Sequence, residues 1–172
     1  MVELAGEVAD GALLLVGLHP LAIASARQSL EAGAARAGRT LEGFKTIFIT
    51  PMALDEEGQE AFRWPQRWLR PGLPFLTYPS SANLHWLREA GIDLPNDIQP
   101  EQVSDDMARQ ICDALGLFGS PQECLIRLQR AQDEAGVDHV FIFPSHTVES
   151  GYDMPRPEVA AFRDVIFPGL GR

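Results

Sequence analysis

Side chains able to move protons, ligate a metal or act as nucleophiles are thinly spread in this sequence. Four histidines, His19, His85, His139 and His146, stand far apart. No two have the spacing of a helical ligand pair and no cysteine pair joins them, so no metal site is expected. His146 is the candidate catalytic residue. It follows an apolar run in Pro144-Ser145-His146-Thr147, where a strand ends, and the end of a parallel strand is where barrel chemistry sits. The alternative is a histidine hydrogen-bonded to its own loop. Ser145 lacks the Gly-x-Ser-x-Gly elbow of a hydrolase. Val16-Gly17-Leu18-His19-Pro20 leads from a strand into a helix, where backbone N–H groups and the helix dipole can hold an anion. Neither Gly-x-Gly-x-x-Gly nor a P-loop is present, so a plain strand-to-helix turn is the competing reading. Phe62, Trp64, Trp68 and Phe75 either line a pocket or form a small satellite core.

The elements that must position these residues alternate. Gly11–Val16 is a continuous apolar run suited to a strand buried on both faces. A helix is predicted from Pro20 to Ala37, with Ile23, Ala26, Leu30, Ala34 and Ala37 on one face. Phe44–Thr50, rich in β-branched and aromatic residues, is a second strand. Residues 55–102, broken by prolines, read as a partly helical insertion containing a short helix from Ser80 or Ser81 to the Gly91 stop. A helix follows over 104–114. Ser120, Pro121 and Glu123 then spell an N-cap, a first helical residue and a capping-box partner, and Gly136 ends that helix. His139–Phe143 is the third strand. A last helix spans Pro157–Ile166, with Val159, Phe162 and Ile166 on one side. Strand–helix–strand order predicts an α/β fold with parallel strands.

The 172 residues suffice for one domain with a real core. A net charge of −10 and a pI of about 4.8 repel phosphate backbones and anionic headgroups, so neither nucleic acid nor membrane is expected as a partner. The uncharged apolar stretch from Gly11 to Ala26 is too short to cross a bilayer. Met1-Val2-Glu3-Leu4 does not open a secretory signal. Cys112 and Cys124 read as buried free thiols, with a reactive thiol or a disulfide as alternatives. The expectation is a cytoplasmic protein.

Three segments together resemble the luciferase-like, flavin-dependent oxidoreductases. Ala5-Gly-Glu-Val-Ala-Asp-Gly11 is similar to that family's helix-to-strand stretch. Phe118-Gly-Ser-Pro-Gln-Glu-Cys-Leu-Ile-Arg-Leu128 is similar to its late helix start. Glu134-Ala-Gly-Val-Asp-His-Val140 is similar to the approach to its final strand. The order and spacing agree, and residues 55–102 match least. The resemblance implies a partial (β/α)₈ barrel whose three strands are the sixth, seventh and eighth. It implies FMN or a deazaflavin as cofactor, and hydride transfer to a small-molecule substrate or activation of oxygen. Val16, Gly17 and Leu18 would contribute to the cofactor pocket. A complete barrel takes about 250 residues, so most cofactor contacts would precede residue 1. Three readings follow: an oxidoreductase or monooxygenase with an incomplete barrel; a non-catalytic truncated product, or a half-barrel that needs a partner chain or self-associates; and an unrelated α/β binding domain.

Overall fold

A computed structural model describes residues 1–55, 60–68, 81–144 and 154–171. Helix α1 (Val2–Val8) leads into strand β1 (Gly11–Leu14). Helix α2 (Pro20–Arg36) and strand β2 (Lys45–Leu54) follow. The insertion holds a 3₁₀ turn at Ala61–Arg63, helix α3 (Trp64–Trp68), helix α4 (Ser81–Glu89) and a second 3₁₀ turn at Pro100–Gln102. Helix α5 (Asp105–Leu115), strand β3 (Leu117–Gly119), helix α6 (Pro121–Ala135) and strand β4 (Val140–Pro144) complete the α/β part. Helix α7 (Arg156–Ala161), a π-helical stretch (Phe162–Ile166) and the short α8 (Phe167–Gly169) close the chain.

The three expected strands are parallel neighbours in one open sheet. β2 lies at its centre and pairs in parallel with β1, β3 and β4. Phe48 is paired with Leu14 of β1 and Val140 of β4, which puts those strands on opposite edges of β2. Met52 is likewise paired with Leu117 and Pro144, so β3 shares the β1 edge and continues it end to end. β3 is the strand that sequence reasoning missed. Three residues are too few to show a period, and Phe118 reads equally well as the approach to the Ser120 cap. β1 also stops at Leu14, two residues early, because the chain turns off the β2 edge that β3 then occupies.

The two faces of the sheet differ. Along β2, Phe48, Thr50 and Met52 are fully buried beneath α2, α6 and the C-terminal helices, in a cluster that includes Ile23, Leu30, Cys124 and Ile166. Thr50 Oγ1 satisfies itself by donating to the Phe48 carbonyl at 3.2 Å. The opposite face is open toward the strand N-termini: Leu13 is 57% exposed, Leu15 45% and Phe141 53%. At the strand C-termini that face is capped by Ala61, Phe62, Trp64, Cys112 and Phe118, packed against Ala53.

Local chemistry explains the best-defined helix. Ser120 Oγ accepts from the Glu123 N–H at 3.3 Å, and Glu123 Oε2 accepts from the Ser120 N–H at 2.7 Å, a complete capping box. Two expected inward positions are solvent-facing instead. Ala37 is the cap residue just past the last turn of α2. Val159 is 56% exposed, because the last helix reaches the core through Ala161 and through Ile166, the last residue of the π stretch that follows it.

Helix α1 crosses α2 at very close range. A Cβ on Gly6 would fall 2.0 Å from the Leu30 carbonyl oxygen, and one on Gly33 would fall 1.8 Å from that of Glu3. Arg36 reinforces the crossing with Glu3 at 2.6 Å and Glu7 at 2.9 Å. Gly33→Ala is therefore expected to cost about 1–3 kcal/mol by overpacking, despite the roughly 1 kcal/mol that alanine gains in a helix. Arg36→Ala removes only exposed ion pairs and should cost under about 1 kcal/mol. Urea unfolding of both variants checks this. A Gly33→Ala cost no larger than that of Arg36→Ala would mean that α1 is not held against α2.

Candidate functional site

Parallel strands deliver their C-terminal ends to one rim. Here the rim brings together the loop after β1, Leu54-Asp55 after β2, Gly119-Ser120 after β3 and Pro144 at the end of β4. One hydrogen bond ties the ends of β2 and β3, and another holds the start of the insertion. The Asp55 N–H donates to the Gly119 carbonyl at 3.0 Å, and Asp55 Oδ2 accepts from the Glu60 N–H at 2.6 Å, anchoring the start of the insertion.

Of the residues singled out from the sequence, Val16, Gly17 and Leu18 lie at this rim, and all three are buried. Gly17 takes a positive φ of 82°, and a Cβ there would sit 2.4 Å from the Ala114 carbonyl oxygen. The sequence demands glycine here on both counts, conformation and space. The loop wraps around the end of α5: the N–H groups of Leu18 and His19 both donate to the Ala114 carbonyl, at 2.9 and 3.1 Å. These two donors are therefore engaged within the protein, and the side chains of Val16 and Leu18 face the core. The loop therefore offers neither the Leu18 nor the His19 N–H to an anion. His146 and Ser145 lie outside the described residues, as does Phe75. His139 is exposed at the start of β4, the end opposite the rim, where its carbonyl accepts from the Phe48 N–H at 3.1 Å. His85 is exposed on α4, its ring stacked on Trp86.

The aromatic group over the rim is a satellite core. Trp64 and Phe118 have ring centroids 5.0 Å apart and Cys112 Sγ lies 3.7 Å from the Phe62 carbonyl oxygen. The Arg109 guanidinium lies 4.2 Å above the Phe62 ring. Sequence reasoning found Phe62 and Trp64 but not Phe118 or Arg109, whose sequence neighbourhoods give no sign of a contact some fifty residues away. The Trp68 side chain lies outside the described part.

Electrostatics at the rim are set by local partners. The Ser120 N–H and hydroxyl hold the Glu123 carboxyl below its usual range, with Arg127 and Arg109 adding to the effect. Both cysteines are free and buried. Burial pushes the Cys124 thiol up to about 12 and the Cys112 thiol higher still, so neither offers a thiolate near neutral pH. His19 caps α2 through its ring: Nδ1 accepts from the Leu21 N–H at 3.3 Å. Partial burial, helped by Arg130 and opposed by Glu134, keeps its imidazole below the ordinary histidine value. Among the described residues, no three His, Cys, Asp or Glu side chains gather into a metal-ligating group. An open depression of about 280 Å³ lies along Arg88, Asp93, Leu94, Pro95 and Asn96. It draws no residue from the strand ends.

Comparison with known proteins agrees with this geometry. A sequence profile of luciferase-like monooxygenases matches residues 1–139. The chain is 24% identical over 151 residues to the 5,10-methylenetetrahydromethanopterin reductase of Archaeoglobus fulgidus, covering 81% of this chain and 44% of that one. The coenzyme F420-dependent tetrahydromethanopterin reductase of Methanopyrus kandleri superposes with a TM-score of 0.64 at 21% identity, over 98% of this chain and 47% of its own. A riboflavin lyase crystallised with modified FMN and riboflavin superposes with a TM-score of 0.53 at 16% identity, over 99% and 40%. Such neighbours use a deazaflavin or FMN, and their fold is the barrel anticipated from the sequence. The chain spans a little under half the length of each. None of the described helices is long and apolar enough to cross a membrane.

The His19 cap predicts a pH dependence of stability. Its folded pKa lies below the unfolded value of about 6.5, so the fold favours the neutral ring. That contribution is complete above about pH 6.5 and is lost as the pH falls through the folded value. His19→Asn keeps a capping acceptor that does not titrate. Urea midpoints measured from pH 8 to pH 5 should fall more steeply in the wild type than in His19→Asn. Parallel curves would assign the pH dependence to other groups.

Proposed function

This chain belongs to the luciferase-like monooxygenase family, and on that premise we propose that it forms the C-terminal wall of a barrel that transfers a hydride between a deazaflavin and a small organic substrate. The observation that carries this reading is the match to a reductase across four-fifths of the chain. The similar fold of an F420-dependent reductase supports it. A second reading, FMN-dependent oxygen chemistry, is favoured by the profile match to monooxygenases.

The cofactor supplies the electron chemistry when bound, and the protein supplies position and surroundings. Val16, Gly17 and Leu18 are the proposed cofactor-facing wall, acting through backbone shape, because the Leu18 and His19 N–H groups are already committed to Ala114. His146 is the proposed catalytic residue, two positions beyond the end of β4 in the sequence. The chain spans under half of these relatives, so the proposed activity belongs to a barrel completed by a missing half or by association of copies. We infer a cytoplasmic protein, in keeping with two buried thiols left unpaired.

Titration tests the incompleteness. Isolated chain should bind neither FMN nor F420 with a dissociation constant at or below micromolar, about −8 kcal/mol, and tighter binding would mean that the pocket is already whole. In a completed barrel, F420-dependent and FMN-dependent turnover separate the two readings. There His146→Ala should lower kcat at least tenfold, and His139→Ala, at the far end of the same strand, should leave it unchanged. Equal and negligible effects would return His146 to a loop-structuring role.

A further inference from the structure

We infer that Arg127 is a positioning residue for the loop Val16–Leu18, acting on it through the C-terminal end of α5. The inference rests on the reading of that loop as cofactor-facing and extends it by naming what sets its shape. The loop hangs on one atom. The Ala114 carbonyl oxygen accepts from the Leu18 and His19 N–H groups at 2.9 and 3.1 Å. There is no slack around it, since a Cβ on Gly17 would fall 2.4 Å from that oxygen and 3.0 Å from Leu115 Cα. The position of this carbonyl therefore decides where the backbone of Gly17 and Leu18 runs.

Arg127 grips α5 on either side of that carbonyl. Reaching across from α6, its Nη1 donates at 3.0 Å to the carbonyl of Gly116, two residues after Ala114, and its Nη2 donates to the carboxylate of Asp113, the residue before it. α5 has no basic residue in its own last turn, so the guanidinium of a neighbouring helix supplies a cation at the negative end of its dipole. Gly116 is buried, and a Cβ on it would meet the Pro51 carbonyl oxygen at 2.2 Å. The end of α5 is thus wedged between β2 and the Gly17 loop, and Arg127 clasps it from α6. Its side chain is only 20% exposed. Two acceptors held apart suit the planar fork of arginine rather than the point charge of lysine. Arg130, one turn further along α6, pairs instead with Glu134 of its own helix.

Amide hydrogen exchange in the full chain tests this. Arg127→Ala should speed exchange of the Leu18 and His19 amides at least tenfold. The Phe48 and Asp55 amides, bonded to the His139 and Gly119 carbonyls, should stay within twofold of wild type. Arg127→Lys, which reaches one acceptor at a time, should fall between wild type and Arg127→Ala. Equal acceleration of all four amides would be general destabilisation and overturns the inference. Unchanged exchange at Leu18 and His19 overturns it too. Turnover in a completed barrel gives a second readout. Arg127→Ala should raise the KM for F420 at least fivefold with kcat within twofold, whereas loss of folded protein alone would lower the yield of active enzyme and leave KM where it was. Local acceleration with an unchanged KM would defeat the cofactor-facing reading of the loop and leave Arg127 as the residue that holds it.

Discussion

The structure depends on one strand. β2 spends both of its edges on parallel partners and both of its faces on different surroundings, so every other strand is located through it. Its ten residues are long enough for β1 to take the lower half of one edge and β3 the upper half, while β4 spans the middle of the other. Parallel pairing needs long crossovers, and the chain supplies them as α2 and as the insertion with α5 and α6. The helix-covered face holds Phe48, Thr50 and Met52 at near-zero exposure. Burial at about 25 cal/mol per Å² makes that face the main source of stability, and the open face contributes little of its own.

What the sequence disclosed follows from the range of the forces involved. The Ser120-Pro121-Glu123 box is settled within four residues and was legible in full. The strand and helix bodies were legible because the apolar period is local. Strand ends and the short β3 were not, since they depend on which edge of β2 is still free. The contact between Gly17 and Ala114 joins residues almost a hundred positions apart, and nothing in either neighbourhood announces it. The aromatic group over the rim was half legible: Phe62 and Trp64 stood out by composition, whereas Phe118 and Arg109 acquire their meaning only from the fold.

The candidate site shows the same division. Sequence reasoning set Val16, Gly17 and Leu18 at the end of a strand, and they are there, but their burial beneath α5 was not readable from a Gly-Leu-His-Pro turn. Local spacing suggested free N–H groups at a helix start. Tertiary structure uses two of them on a single carbonyl. The family motifs read across Ala5–Gly11, Phe118–Leu128 and Glu134–Val140 were more informative than any single side chain, because they mark how helices enter and leave strands.

The start of the insertion is fixed where the Asp55 N–H donates to the Gly119 carbonyl, and α5, which follows the insertion, is held where the Ala114 carbonyl accepts the Leu18 and His19 N–H groups. The insertion is thus moored to the rim at its start and, through α5, just beyond its end. Closing a flexible loop costs only about 0.6 kcal/mol for each doubling of its length. The segment between these moorings is therefore the place where the chain can gain or lose residues without disturbing the barrel strands, and so where divergence in length, and with it in the ceiling above the rim, is cheapest.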